Sequence, residues 1–198
     1  MRKFSILALS SALLLAGQTA MAEANSCVTL IDHASLETPN PWQTVNDGVM
    51  GGLSSGGSVL SEGVLTFAGN TNTNGGGFSS IRIGMRPGAM AGMDHLRLRV
   101  RTDARRYSVT LRTNVTSMGR RIAFRTEMDG AEPGNWSDAV VRFEDLKASI
   151  WGRPVRNAVF EASEVRELGL IIYDGKDGPF EMELLSIEAC STANGTGA

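Results

Sequence analysis

Histidine and cysteine are nearly missing from this sequence, with two of each among 198 residues. A zinc centre needs several such ligands at close spacing. His33 and His95 stand far apart, with no cysteine or carboxylate at ligand spacing from either, so no such centre is expected. The same scarcity weighs against a hydrolase. Gly52-Leu53-Ser54-Ser55-Gly56 matches the nucleophile-elbow pattern, but Gly57 and Ser58 follow where a helix should begin. The only later histidine, His95, belongs to a strand pattern, so the segment reads as a flexible Gly/Ser loop. Asn74-Gly75-Gly76-Gly77 lacks the Lys-Ser/Thr of a phosphate loop and precedes a strand, which argues against nucleotide binding. Asp174 to Gly178 is too short for an EF-hand loop, lacks its closing Glu, and reads as a hairpin turn. Loop carbonyls with Asp47 or Asp174 leave room for a Ca²⁺; no other cofactor is expected. No acid–base pair stands out, so no enzyme is expected.

Long apolar runs are also missing. Phe4 to Ala16 is the longest, and it is shorter than the roughly 20 residues that cross a bilayer. Arg2 and Lys3 before it and Ala20-Met21-Ala22 after it complete an export signal over residues 1–22. The expected mature chain starts near Glu23, is soluble without a membrane span, and is periplasmic or secreted. Cys27 and Cys190 then bracket nearly the whole domain and would meet an oxidising compartment. They are expected to pair, closing a loop long enough to stabilise the fold by up to about 5 kcal/mol. Residues 23–190 form one domain, and 191–198 are read as a flexible tail.

What is present is alternation. His95 to Thr102 places Leu96, Leu98 and Val100 on one face, with Arg97, Arg99 and Arg101 on the other. Tyr107, Val109 and Leu111 repeat the pattern after a turn, so the two runs read as one hairpin with an apolar side. Further strands fall at Val64 to Phe67, Phe78 to Ile83, Arg121 to Thr126, Trp136 to Phe143, Glu167 to Tyr173 and Phe180 to Glu188. Short helical turns suit only Phe143 to Ser149 and Ala162 to Val165. Evenly spaced strands with Gly-rich turns predict an all-β jelly-roll sandwich.

Charge is segregated. Five acids and no Lys or Arg occupy Glu23 to Ile81, and eleven Arg against Asp94 and Asp103 occupy Arg82 to Arg125. Sixteen of the nineteen basic residues are Arg, the side chain suited to bidentate carboxylate or phosphate pairing. Two readings of the stripe stand: arginines paired with the protein's own acids, or a face that engages an anionic or protein partner. The acidic total and the export signal argue against nucleic acid.

Trp42-Gln43-Thr44-Val45-Asn46-Asp47-Gly48-Val49-Met50-Gly51-Gly52-Leu53-Ser54 combines turn chemistry with packing anchors. It closely resembles the opening motif of the complex I intermediate-associated protein 30 family, W-x-x-V-N-D-G-V-M-G-G-x-S. Asn74 to Arg82, Leu98-Arg99-Val100, Tyr107 to Arg112, Trp136, Phe143, Trp151-Gly152-Arg153 and Gly178 to Leu184 resemble later segments in order. The resemblance implies a galactose-binding-domain-like jelly roll and a non-catalytic binding module, often an assembly chaperone. Thr102-Asp103-Ala104-Arg105-Arg106-Tyr107 departs from the family's G-D-G-R-x-Y, which suggests a different turn there.

The expected function is therefore a binding module that assists assembly of an envelope protein complex. The alternative is a carbohydrate-binding jelly roll, for which Trp42, Trp136 and Trp151 would be stacking surfaces unless they belong to the core. Candidate binding residues are Asn46, Asp47, Arg82, Arg99 and Arg112, with Trp136 at the rim. Asp47 has a competing role, capping backbone N–H groups of its own loop.

Overall fold

The computed structural model describes residues 26–35, 40–117 and 119–192. The expected export segment and residues 193–198 of the expected tail lie outside them. Thirteen strands follow in chain order: β1 Ser26–Asp32, β2 Gln43–Asn46, β3 Ser55–Ser61, β4 Val64–Thr71, β5 Ser79–Gly84, β6 His95–Thr102 and β7 Tyr107–Ser117. Then come β8 Arg120–Glu127, β9 Ser137–Arg142, β10 Lys147–Ile150, β11 Arg153–Pro154, β12 Glu167–Ile172 and β13 Gly178–Ser191. Helical pieces among the described residues are four 3₁₀ turns, at His33–Ser35, Asp47–Met50, Phe143–Asp145 and Ala162–Glu164.

The strands form two antiparallel sheets packed face to face, the all-β jelly-roll sandwich that the alternation predicts. One sheet has six strands in the order β3-β4-β13-β6-β9, with β1 also on β13. The other has seven, β11-β10-β8-β7-β12-β5-β2. Strand β13 is the spine of the first sheet. It pairs with β4 up to Leu184 and with β1 from Ser186 on, changing partner at a bulge. The bulged Leu185 offers its carbonyl to the Nδ1 of His33, 3.2 Å away, while the Nε2 of His33 accepts the indole N–H of Trp42 at 3.0 Å. His33 is thus a satisfied core residue, and burial holds its pKa below the ordinary value.

The core lies between the sheets. Leu96, Leu98 and Val100 of β6 face Val109 and Leu111 of β7, and all five are fully buried. Burying one such side chain stabilises a fold by roughly 1.5–3 kcal/mol. These two strands are not a hairpin, contrary to the sequence expectation. β6 pairs with β13 and β9, and β7 with β8 and β12, so the chain crosses from one sheet to the other between them. Two strands with matching apolar faces can lie side by side or face each other, and the latter buries both faces at once. Asp174 to Gly178 is likewise a crossing, from β12 to β13, and not a hairpin turn.

The two crossings are locked together. Arg105 donates from Nε and Nη2 to the carboxylate of Asp174, both at 2.8 Å, and from Nη1 and Nη2 to the carbonyls of Gly178, Pro179 and Lys176. Its pairing holds Asp174 down at about 2. Asp103 accepts from the Tyr107 hydroxyl and from the N–H of Glu181. Asp103, Arg105 and Tyr107 thus carry the contacts that tie this turn to the second crossing and the start of β13. Neither Thr102 nor Ala104 has a positive φ, so the turn itself does not require glycine at either position.

From Ser55 on, the Gly/Ser stretch is strand β3 and not a flexible loop. Its glycine is there for close packing: a Cβ on Gly56 would come within 2.3 Å of the Ser79 hydroxyl and 2.8 Å of Phe180. At the far edge of the sheet the register sets Cys27 opposite Cys190, and the two are disulfide-bonded. Ser191, taken as the start of the tail, still pairs with Ser26.

Candidate functional site

The outward side chains of the seven-stranded sheet follow from its register. Val45 of β2, Ser80 and Arg82 of β5, and Glu167, Gly169 and Ile171 of β12 share that face. Ser108, Thr110 and Arg112 of β7, Arg121, Ala123 and Arg125 of β8, and Lys147 of β10 continue it. Small residues make up the middle, and cations stand around them. Arg112 donates to Glu167 at 2.6 Å, and the Nε of Arg82 lies 3.9 Å from the same carboxylate oxygen. Burial, with Arg112 and Arg121 nearby, pulls the Arg82 pKa below its ordinary value against the opposing pull of Glu167. Arg125 stacks over the ring of Tyr173 at 5.3 Å, just beyond the end of β12. Glu127, the other acid on the face, is paired with Arg106 at 3.3 Å. Cations outnumber acids here.

The outer face of the six-stranded sheet is different. Arg97 pairs with Glu188 at 2.6 Å, Arg99 with Asp138 at 3.3 Å, and Arg101 with Glu183. Here the stripe is paired with the protein's own acids. Trp136, at the edge of this sheet, lies under Arg101 with 5.2 Å from guanidinium carbon to ring centroid. Arg99 and Trp136 are thus on the opposite side of the sandwich from Arg82 and Arg112.

Asn46 and Asp47 stand at one end of the sandwich and face inward. Asn46 bridges Ser79 and the carbonyl of Gly56. Asp47 is fully buried, and its carboxylate accepts the N–H groups of Ser54 at 2.9 Å, Gly77 at 2.6 Å and Phe78 at 3.3 Å, and the Ser54 hydroxyl at 2.5 Å. Burial pushes its pKa up, but these four donors outweigh it and hold the group below the ordinary carboxylate value. Gly52 and Gly76 complete the arrangement: a Cβ on either would approach the carboxylate to 2.3 Å. The opening motif is therefore a staple between two loops, and it leaves Val49, Met50 and Leu53 pointing outward at 75%, 59% and 65% exposure.

Both carboxylates considered for Ca²⁺ are engaged by donors, Asp47 by its loops and Asp174 by Arg105. The one three-ligand grouping among the described residues is Cys27, Glu188 and Cys190, whose two sulfurs are bonded to each other. A groove of about 830 Å³ lies elsewhere, between the ends of β6 and β9 and the Phe160–Ser163 segment. Its basic groups are already paired, His95 with Asp94 and Arg142 with Asp129. Of the three tryptophans, Trp42 is core and Trp151 is 70% exposed, with Arg120 stacked on it at 3.9 Å.

Comparison with known proteins bears on this arrangement. The model of the family described as complex I intermediate-associated protein 30 matches residues 31–184. The chain belongs to that family. The matched span of this family member runs from the end of β1 into β13 and includes the Asp47 staple, the Arg105 clamp and both sheet faces. No curated protein matches it. Among solved structures, one similar to it is a family 11 carbohydrate-binding module from Clostridium thermocellum in complex with a β-1,3-1,4-mixed-linked tetrasaccharide. The TM-score is 0.56 at 10% identity, covering 86% of this chain and 98% of that one. A family 30 carbohydrate-binding module from a cellulosomal cellulase of the same organism gives 0.54 at 15% identity, covering 85% and 99%. At these identities the likeness is one of fold.

The sequence singled out Arg82 and Arg112, and the structure brings them together. It missed Glu167, Arg121, Arg125 and Tyr173. The signal available for these was the period-2 alternation of β8 and β12, read outward as well as inward.

Proposed function

We propose that this protein is a non-catalytic binding module that assists assembly of a protein complex in the cell envelope. It presents the outer face of its seven-stranded sheet to the partner. The observation that carries the reading is the surplus of arginine on that face, beside a second face where each stripe arginine has its own acid. Family membership supports the assembly role, and the export pattern of residues 1–22 together with the disulfide supports an extracytoplasmic place. No helix among the described residues is long and apolar enough to cross a membrane.

Carbohydrate binding is the second reading. It is favoured by the similarity in fold to carbohydrate-binding modules and by Tyr173, an aromatic ring on the same face that is 54% exposed. In-cell crosslinking of the tagged protein, followed by capture from the envelope fraction, tests the first reading. A defined protein partner, lost when Ser108→Trp fills the face, is the expected result. A glycan-array signal lost with Tyr173→Ala, and no such protein partner, would replace it with the second reading.

A further inference from the structure

We infer that Arg82, Arg112 and Arg121 form an anion-recognition site whose ligand is a carboxylate-rich segment of the partner protein. The inference rests on the reading of this face as the binding surface. Strand β12 runs between β5 and β7, so Arg82 and Arg112 flank it, and Glu167 on β12 reaches toward both. Gly169, two residues on, has Arg82 and Thr110 as its register partners. A Cβ there would lie 3.4 Å from Cγ of Arg82 and 3.3 Å from the Ile81 carbonyl, so the glycine leaves a clear floor beside the guanidinium. Arg121 joins from β8, on the side of that strand that carries Ala123, the register partner of Arg112.

Arg82 and Arg112 therefore share one carboxylate, with Arg121 as a third cation near Arg82. Arg112 is satisfied by Glu167, whereas the side chains of Arg82 and Arg121 donate no hydrogen bond to any described residue. Arg82 is half-buried and Arg121 exposed, and guanidiniums with free donor edges bind carboxylates through paired, charge-assisted hydrogen bonds. A neutral sugar would instead require an open aromatic platform, and the ring of Tyr173 is covered on one side by Arg125. Glu167 acts as a placeholder: it prevents three like charges from standing unneutralised in the free protein, and it competes with the incoming carboxylate.

The test is fluorescence anisotropy with a short fluorescein-labelled oligoglutamate peptide on the full mature protein. Oligoglutamine serves as the control and polygalacturonate as a competitor. Expected are salt-sensitive binding of oligoglutamate alone, a loss of about tenfold or more in Arg82→Gln/Arg121→Gln, and tighter binding in Glu167→Gln. The gain in Glu167→Gln is a result that damage to the fold would not produce. Binding that ignores the arginine changes, a weaker Glu167→Gln, or polygalacturonate bound in preference to the peptide would each overturn the proposal. The partner-capture assay separates this failure from failure of the face itself. Capture lost with Ser108→Trp but kept in the arginine variant removes the anion site and leaves the face. Capture kept in both removes the face as well.

Discussion

The two outer faces of this sandwich are made from the same residue type and differ in what stands opposite it. On the six-stranded sheet, Arg97, Arg99 and Arg101 each have an acid on a neighbouring strand. On the seven-stranded sheet, Arg82 and Arg112 have Glu167 alone between them, and Arg121 stands nearby as a further cation. A count of arginines in the sequence makes the first face the more conspicuous, because its three lie in one strand at period two. Pairing reverses the ranking. An arginine matched across a ladder is part of the sheet's own surface, whereas an unmatched one keeps its donors for something else.

The comparison holds only while both sheets keep their places, and the most damaging substitution attacks that. Arg105→Ala removes the partner of Asp174, whose side chain is only 1% exposed, and should cost about 3–5 kcal/mol in chemical denaturation. An unchanged denaturation midpoint would mean that the two crossings are not held by this clamp. Asp47→Ala leaves buried N–H groups without an acceptor and should cost about 1–3 kcal/mol. Partner capture should be retained in the fraction that stays folded, since Asp47 faces away from both surfaces. Binding lost without loss of stability would instead make Asp47 part of the site.

Titration gives an intermediate effect. His33 is buried and neutral, with its folded pKa below the unfolded value of about 6.5. The unfolded chain therefore takes up a proton first, and stability falls as pH drops below about 6.5, by at most about 1.4 kcal/mol per unit. Asp174 works at lower pH: its stabilisation is present above the unfolded value of 3.8 and is lost as pH falls toward about 2. Melting temperature followed from pH 7 to 5 checks the first, and a flat profile would remove His33 as its source.

The smallest effects bear most directly on the faces. Arg97→Gln strands Glu188 and should cost about 0.2–1 kcal/mol, as exposed pairs do. Arg82→Gln should leave stability unchanged or slightly raised, because it relieves repulsion from Arg112 and Arg121. Equal costs at the two positions, measured by thermal melts at low salt, would erase the distinction between the faces.

Much of this architecture was legible before the structure. The strands β6, β7, β12 and β13 announce themselves by alternation, and the Cys27–Cys190 pairing by position. The Gly-Ser strand β3 did not, because glycine and serine carry no period-2 contrast. The β6–β7 hairpin was misread for a related reason: alternation gives the apolar side of each strand but not whether its neighbour lies beside it or across the core. Arg82, Arg99 and Arg112 were named together as candidates; the structure puts Arg82 and Arg112 on one sheet face and Arg99 on the other, a separation that the one-dimensional pattern does not carry.

By itself, the sequence determined which side of the alternating strands turns inward and where the chain turns between them. Those are consequences of local geometry and of apolar surface leaving water. Only the tertiary structure decided which arginines are spent and which are free. Glu188 lies 91 residues from Arg97, and Glu167 lies 55 from Arg112. A Coulombic pairing of groups so far apart exists only once strands from distant parts of the chain have been placed side by side.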